Sequence, residues 1–80
     1  MSELHNAKPR DALIKMANEI ASNIAPGRSQ DEAATMMTDH IIRFWAVSMK
    51  LQIIECLKTD SNQLQPTATQ AIESLKKMYS

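Results

Sequence analysis

The sequence predicts an all-α fold, a small bundle of three to four helices, and three observations carry this prediction. The apolar residues are mainly Ala, Ile, Leu and Met, with a single Val and three aromatics, which favours helix over strand. Several segments repeat apolar residues at helical spacing. Proline and glycine stand where helices would begin and end: Pro9, Pro26 with Gly27, and Pro66.

The length of 80 residues allows one domain, and residues 1–8 are expected to form a flexible extension ahead of it. A chain this short buries only about 60–65% of the surface that its unfolded form exposes. Its single cysteine, Cys56, excludes an intrachain disulfide. A partner protein is therefore the expected additional source of stability.

The first helix is predicted from Pro9 to Ile24, because its apolar residues occupy one side of a helical wheel. They fall within an arc of roughly 160°. They are Leu13, Ile14, Met16, Ala17, Ile20, Ala21 and Ile24.

A second helix is predicted from about Gln30, because Ser29 and Glu32 have the spacing of a capping box. Asp39 and Arg43, four residues apart, are expected to pair on its polar face. Its apolar face comprises Ala33, Met36, Met37, His40, Ile41, Phe44 and Val47, whereas Ile42 falls on the polar side.

Residues 47–57 are apolar around roughly 220° of a helical wheel, interrupted mainly by Lys50. Such a helix is either central in the bundle or covered on its outer face by another chain. Whether it continues the second helix or begins anew near Ser48 stays open. After the polar residues 58–65, Pro66 begins a last helix with a narrow apolar arc.

Composition also disfavours several classes of function. The formal net charge of zero removes the attraction that drives binding to phosphate backbones, so we expect no nucleic-acid partner. The chain has no run of 18 apolar residues and no secretory leader, so we expect no membrane insertion and a cytoplasmic location. One glycine provides no phosphate-binding loop.

The residues that could carry chemistry are few. Asp39 and His40 are neighbours on a helix and point about 100° apart, so neither orients the other for acid–base catalysis. Cys56 lies in an apolar stretch, and no His or Cys spacing predicts a metal site. Trp45 has two equally weighted interpretations, an interface anchor or a lid on the small core.

Two motifs carry a resemblance to a known family. Leu13–Ala21 contains Met-Ala-Asn-Glu-Ile-Ala, and Asp39–Trp45 reads Asp-His-Ile-Ile-Arg-Phe-Trp, followed by Met49. These motifs resemble the small delta subunit of NAD-dependent, molybdenum-containing formate dehydrogenases. Leu64-Gln65-Pro66 ahead of the last helix is also similar, and the likeness extends from about Ala12 to Leu75.

One departure from the family pattern follows Trp45. The family usually continues with Asp-Pro-Arg, whereas this chain has Ala46-Val47-Ser48. Loss of the proline removes a barrier to continuation of the second helix, and any contact made by the family's Asp and Arg is absent.

The resemblance implies an accessory subunit without catalytic residues, which assists assembly, stability or molybdenum-cofactor insertion. The cofactors that it implies belong to other subunits: bis-molybdopterin guanine dinucleotide, iron–sulfur clusters, FMN and NAD. The expected partner is the catalytic alpha subunit, with a homodimer when the chain is isolated. The residues expected to bind the partner are Met16, Asn18, Ile20, His40, Phe44, Trp45 and Met49.

Three alternatives stay open at this point. The first is a self-associating helical module with a regulatory role, in which the excess apolar face closes a homodimer. The second is a small enzyme that uses Asp39, His40 or Cys56. The third is a DNA-binding protein, which the scarcity of exposed basic residues disfavours.

Overall fold

The computed structural model describes residues 9–79, so the extension expected over residues 1–8 lies outside the described part. No strand occurs between residues 9 and 79, and the all-α prediction is confirmed. The elements are helix α1 (Pro9–Ile24), helix α2 (Gln30–Phe44), helix α3 (Val47–Thr59), a 3₁₀ turn (Ser61–Gln63) and helix α4 (Pro66–Met78).

The turn between α1 and α2 is formed around Gly27 and Arg28. Gly27 has a φ of 78°, a left-handed conformation that residues with a Cβ rarely adopt. The Arg28 guanidinium donates to the Ile24 carbonyl at 2.7 Å and so satisfies one of the unpaired carbonyls at the end of α1. The first helix therefore ends where the sequence predicts.

The capping box at the start of α2 is confirmed. The Glu32 amide donates to Ser29 Oγ at 3.1 Å, and the Ser29 amide donates to Glu32 Oε1 at 3.2 Å. Farther along, Arg43 Nε lies 3.0 Å from Asp39 Oδ2, as the spacing of four residues indicates.

Helix α2 packs most extensively against α4, and small residues allow the close approach. Ala33, Ala34, Ala68 and Ala71 are all buried between these elements and the rest of the core. The buried Thr38 hydroxyl lies 2.8 Å from the Ala34 carbonyl and 3.2 Å from that of Ala71 on α4. Its polar group is thereby satisfied inside the bundle.

A break separates α2 from α3 although no proline stands there. Trp45 (φ −94°, ψ 141°) and Ala46 (φ −67°, ψ 155°) are both extended, and a new helix begins at Val47. The question left open by the sequence is thus resolved: α2 does not run on. Val47 occupies the first position of α3, where proline is also well accommodated.

The buried side chain of Lys50 stabilises this break by a hydrogen bond across it. The side chain is only 8% exposed, and its Nζ donates to the Ile42 carbonyl near the end of α2 at 3.0 Å. A cation is favourable there because the last carbonyls of a helix are unpaired and carry partial negative charge. In the sequence, Lys50 is visible only as an interruption of an apolar face.

The core is formed by all four helices and includes Trp45, which is 6% exposed. In the monomer, the indole of Trp45 therefore covers the core and does not project from the surface. Helices α1 and α4 each contact both α2 and α3, whereas α2 and α3 have little direct contact. Helices α2 and α3 are therefore joined mainly by the residues of the break.

Trp45 and Phe44 should differ sharply in their effect on stability. We expect Trp45→Ala to lower the free energy of unfolding by about 3–5 kcal/mol, because it leaves a cavity in the core. Phe44→Ala, at a side chain that is 72% exposed, should change it by less than about 1 kcal/mol. Urea denaturation followed by circular dichroism measures both, and equal losses would contradict the placement of the two rings.

Candidate partner-binding surface

The exposed apolar side chains concentrate around the break between α2 and α3. Of the eight large hydrophobic residues exposed in the described part of the chain, four lie between residues 42 and 51. Phe44 is 72% exposed, Val47 57% and Leu51 47%. Isolated exposed hydrophobics are ordinary, but a concentration of them around one junction indicates a surface that another protein covers.

We define the Phe44 surface as His40, Phe44, Val47 and Leu51. The rings of His40 and Phe44 have centroids 4.8 Å apart and are tilted by 44°. Val47 and Leu51 are four residues apart on α3 and share one side of that helix. Because only two residues separate Phe44 from Val47, their Cα atoms lie within about 11 Å of each other.

Ile42 does not belong to this surface. It precedes Phe44 by two residues, so it points about 200° away around α2. It lines a shallow groove of about 240 Å³ together with Thr38 and Ser74.

The Phe44 surface is apolar and also uncharged. Residues 44–54 contain one charged side chain, Lys50, which is buried. At its edge, the charge of Arg43 is paired with Asp39. A partner that covered this surface would not need to desolvate an unpaired charge, which is the costly step in forming many interfaces.

The other expected contact residues are dispersed. Trp45 lies in the core, and Ile20 and Met49 are half-buried and packed against it. Met16 is exposed on α1. Of the seven residues expected to bind a partner, His40 and Phe44 pack their rings against each other, with Phe44 exposed and His40 half-buried.

Asn18 makes two hydrogen bonds within the fold. Its Nδ2 donates to the Gln63 carbonyl and its Oδ1 accepts from the Gln65 amide, both at 2.8 Å. The side chain thus ties α1 to the connection between the 3₁₀ turn and α4. It points about 200° away from Met16 around α1, so these two residues face different sides of the molecule.

An open, polar groove with a volume of about 680 Å³ runs beside Asn18. Asp11, Lys15 and Glu19 line its α1 side. No buried side-chain nitrogen or oxygen atom within residues 9–79 lacks a hydrogen-bond partner. The groove therefore presents no unsatisfied polar group that points to a ligand.

The candidate catalytic residues are not brought together. Asp39 pairs with Arg43, His40 stacks on Phe44, and Cys56 is fully buried. Burial raises the pKa of the Cys56 thiol above its usual range, which keeps it protonated and poorly nucleophilic at neutral pH. In the described residues, no group of three His, Cys, Asp or Glu side chains could hold a metal ion.

Within residues 9–79, none of the helices has the length and apolar character that spanning a membrane requires.

Comparison with known families decides the relationship of this chain. Residues 12–72 match the family described as NADH-dependent formate dehydrogenase delta subunit FdsD. The chain belongs to the FdsD family. No curated protein and no solved structure matches it significantly.

The FdsD match includes α1 from residue 12 onward, the break and the entire Phe44 surface. Membership in the FdsD family implies a delta subunit that associates with a formate dehydrogenase complex, as the two sequence motifs indicated. Met78 and Tyr79, which are also exposed, lie beyond the matched residues.

Val47 and Leu51 are not among the seven residues expected to bind a partner. The sequence nevertheless indicates an exposed apolar face on this helix, because residues 47–57 are apolar over more of a helix than a small core can cover. The pattern did not show which part of that wide face remains outside, because that depends on how α1 and α4 pack against α3.

Asn18 should contribute to stability through its two hydrogen bonds to backbone groups. We expect Asn18→Ala to lower the free energy of unfolding by about 1–3 kcal/mol, since it leaves the Gln63 and Gln65 backbone groups without this partner. Asn23→Ala, at an exposed position of the same helix, is the matched control and should change it by less than about 0.5 kcal/mol. Thermal or urea unfolding checks both, and equal effects would contradict the linking role.

Proposed function

We propose that this delta subunit acts as a non-catalytic accessory protein that docks through its Phe44 surface on the catalytic subunit of a formate dehydrogenase. Docking would assist assembly, stability or insertion of the molybdenum cofactor. The observation that carries the proposal is the pairing of an exposed Phe44 with a buried Trp45 at the next position. An isolated small domain gains nothing from holding a phenylalanine 72% exposed.

The break between α2 and α3 determines what the partner would meet. Because α2 ends at Phe44, the exposed ring lies at the last turn of α2, packed against His40 and separated by two residues from the start of α3. Val47 and Leu51 extend the apolar area along α3. Aromatic residues that enter a pocket on a partner commonly dominate the energy of an interface, and neighbouring apolar residues exclude water around them.

Such an accessory subunit could support the enzyme by mass action. A protein that binds the folded catalytic subunit and not its unfolded form stabilises it by an amount that grows with concentration and affinity. The same linkage would favour whichever conformation of the catalytic subunit accepts the molybdenum cofactor, provided that the delta subunit binds this conformation more tightly.

The proposal assigns the cofactors to other subunits. Bis-molybdopterin guanine dinucleotide, iron–sulfur clusters, FMN and NAD would be held by the catalytic and electron-transfer subunits, with this chain in contact with protein alone. It also places the complex in the cytoplasm, which fractionation of cells that express the tagged chain would test.

Phe44→Ala should weaken the complex without unfolding the delta subunit. If the ring is a central anchor, its removal should cost about 2 kcal/mol or more, which corresponds to at least about a 30-fold loss of affinity. The measurement is co-purification of the tagged variant with the catalytic subunit, followed by titration of the purified proteins.

Met78→Ala is the matched control, because Met78 is 63% exposed but lies at the far end of α4. It should leave the affinity within about threefold of wild type. Wild-type affinity of Phe44→Ala would contradict the docking surface, and a dehydrogenase of full yield and activity without the delta subunit would contradict the accessory role.

A further inference from the structure

The break between α2 and α3 contains no residue that opposes a helix. No glycine or proline occurs between residues 28 and 65, and the break itself is Trp45 and Ala46. Ala46 makes no side-chain hydrogen bond to the first turn of α3, so the new helix begins without a cap. The chain is thus held in two helices by tertiary contacts, because its local sequence does not require an interruption.

Joining the two helices would complete hydrogen bonds that the break leaves unmade. The amides of residues 46–49 would reach the carbonyls four residues earlier, those of residues 42–45. This adds four helical hydrogen bonds per chain. The cost is loss of the extended conformation of Trp45 and of the Lys50 cap on the Ile42 carbonyl.

The Phe44 surface has the spacing of a coiled-coil seam when it is placed on one continuous helix. His40, Phe44, Val47 and Leu51 follow one another at intervals of four, three and four residues. Phe44, Val47 and Leu51 are exposed, and His40 is half-buried. The apolar repeat therefore continues through the break in register.

We infer that the chain forms a domain-swapped dimer in which α2 and α3 join into one helix over residues 30–59. In this dimer α1 and α2 of one chain pack against α3 and α4 of the other. Outside the junction, exchange preserves the contacts between the helices of the monomer, since α2 and α3 have little direct contact while α1 and α4 contact both of them. The contacts between the two halves simply form between chains.

The occupant of the Phe44 surface in this state is the same surface of a second copy. A two-fold axis brings identical patches together, and this patch is compatible with itself because none of its four positions is Lys, Arg, Asp or Glu. The two charged residues between positions 40 and 51, Arg43 and Lys50, flank the seam and do not belong to it. The dimer covers the face assigned above to the catalytic subunit, so the two associations exclude each other, although the dimer does not depend on that assignment.

Val47→Pro separates the swapped dimer from the monomer. Val47 is the first residue of α3, where proline fits, and the preceding Ala46 has the extended conformation that proline favours. In a continuous helix the same proline would remove a hydrogen bond and clash with the Arg43 carbonyl. We expect the dimerisation constant to fall at least about 100-fold, while the helix content of the monomer is unchanged.

The measurement is light scattering after size exclusion over a wide range of protein concentration. Wild type and the control Val47→Ala, which shortens the side chain but permits a helix, should dimerise. Ala46→Asp, which supplies a cap for α3, should favour the monomer as Val47→Pro does. A wild-type chain that stays monomeric throughout, or a Val47→Pro variant that still dimerises as wild type does, would overturn the inference.

Exchange itself is tested by cross-linking α2 to α4. Gln30 Nε2 donates to Gln70 Oε1 at 2.7 Å, so cysteines at these two positions are close enough for a short bismaleimide when Cys56 is replaced by alanine. Cross-linking within the swapped dimer joins two chains and gives a dimer band under denaturing conditions. A dimer in solution that yields only cross-linked monomer would show unswapped association and refute the exchange.

Discussion

The interruption between α2 and α3 is the constraint on which the rest of this small bundle depends. Two extended residues let Trp45 turn into the core while Phe44, its neighbour, remains outside. The buried Lys50 side chain fixes the end of α2 at this point. If α2 continued through Trp45 in the monomer, α3 could not fold back to pack against α1 and α4. The core and the exposed apolar surface therefore have the same origin.

Much of the helical architecture could be predicted from local signals. Pro9, Ser29 with Glu32, and Pro66 each act on the first turn of a helix, so the beginnings of α1, α2 and α4 follow from the sequence alone. The beginning of α3 does not, because Ala46 and Val47 favour neither a break nor its absence. The beginning of α3 is determined by the burial of Trp45 and by the hydrogen bond from Lys50 to the Ile42 carbonyl. Trp45 packs against residues that are distant in sequence, and Lys50 and Ile42 lie on opposite sides of the break.

The candidate surface could also be predicted only in part, because packing between distant parts of the chain determines which of its side chains are exposed. The family motif drew attention to His40, Phe44 and Trp45, but a motif does not state which of two adjacent rings is buried. Asn18 lies in the other motif, and its hydrogen bonds to Gln63 and Gln65 indicate that it stabilises the fold. Val47 and Leu51 complete the surface because the core formed with α1 and α4 covers only one side of α3.

Hydrogen exchange in the assembled formate dehydrogenase tests the central claim most directly, since the claim is that the partner covers the junction of α2 and α3. The account predicts that, relative to the free monomer, amide exchange slows in the complex mainly at residues 44–51, where the amides of residues 46–49 have no helical hydrogen-bond partner in the monomer. Unchanged exchange at this junction, with protection instead along the polar groove beside Asn18, would contradict the account.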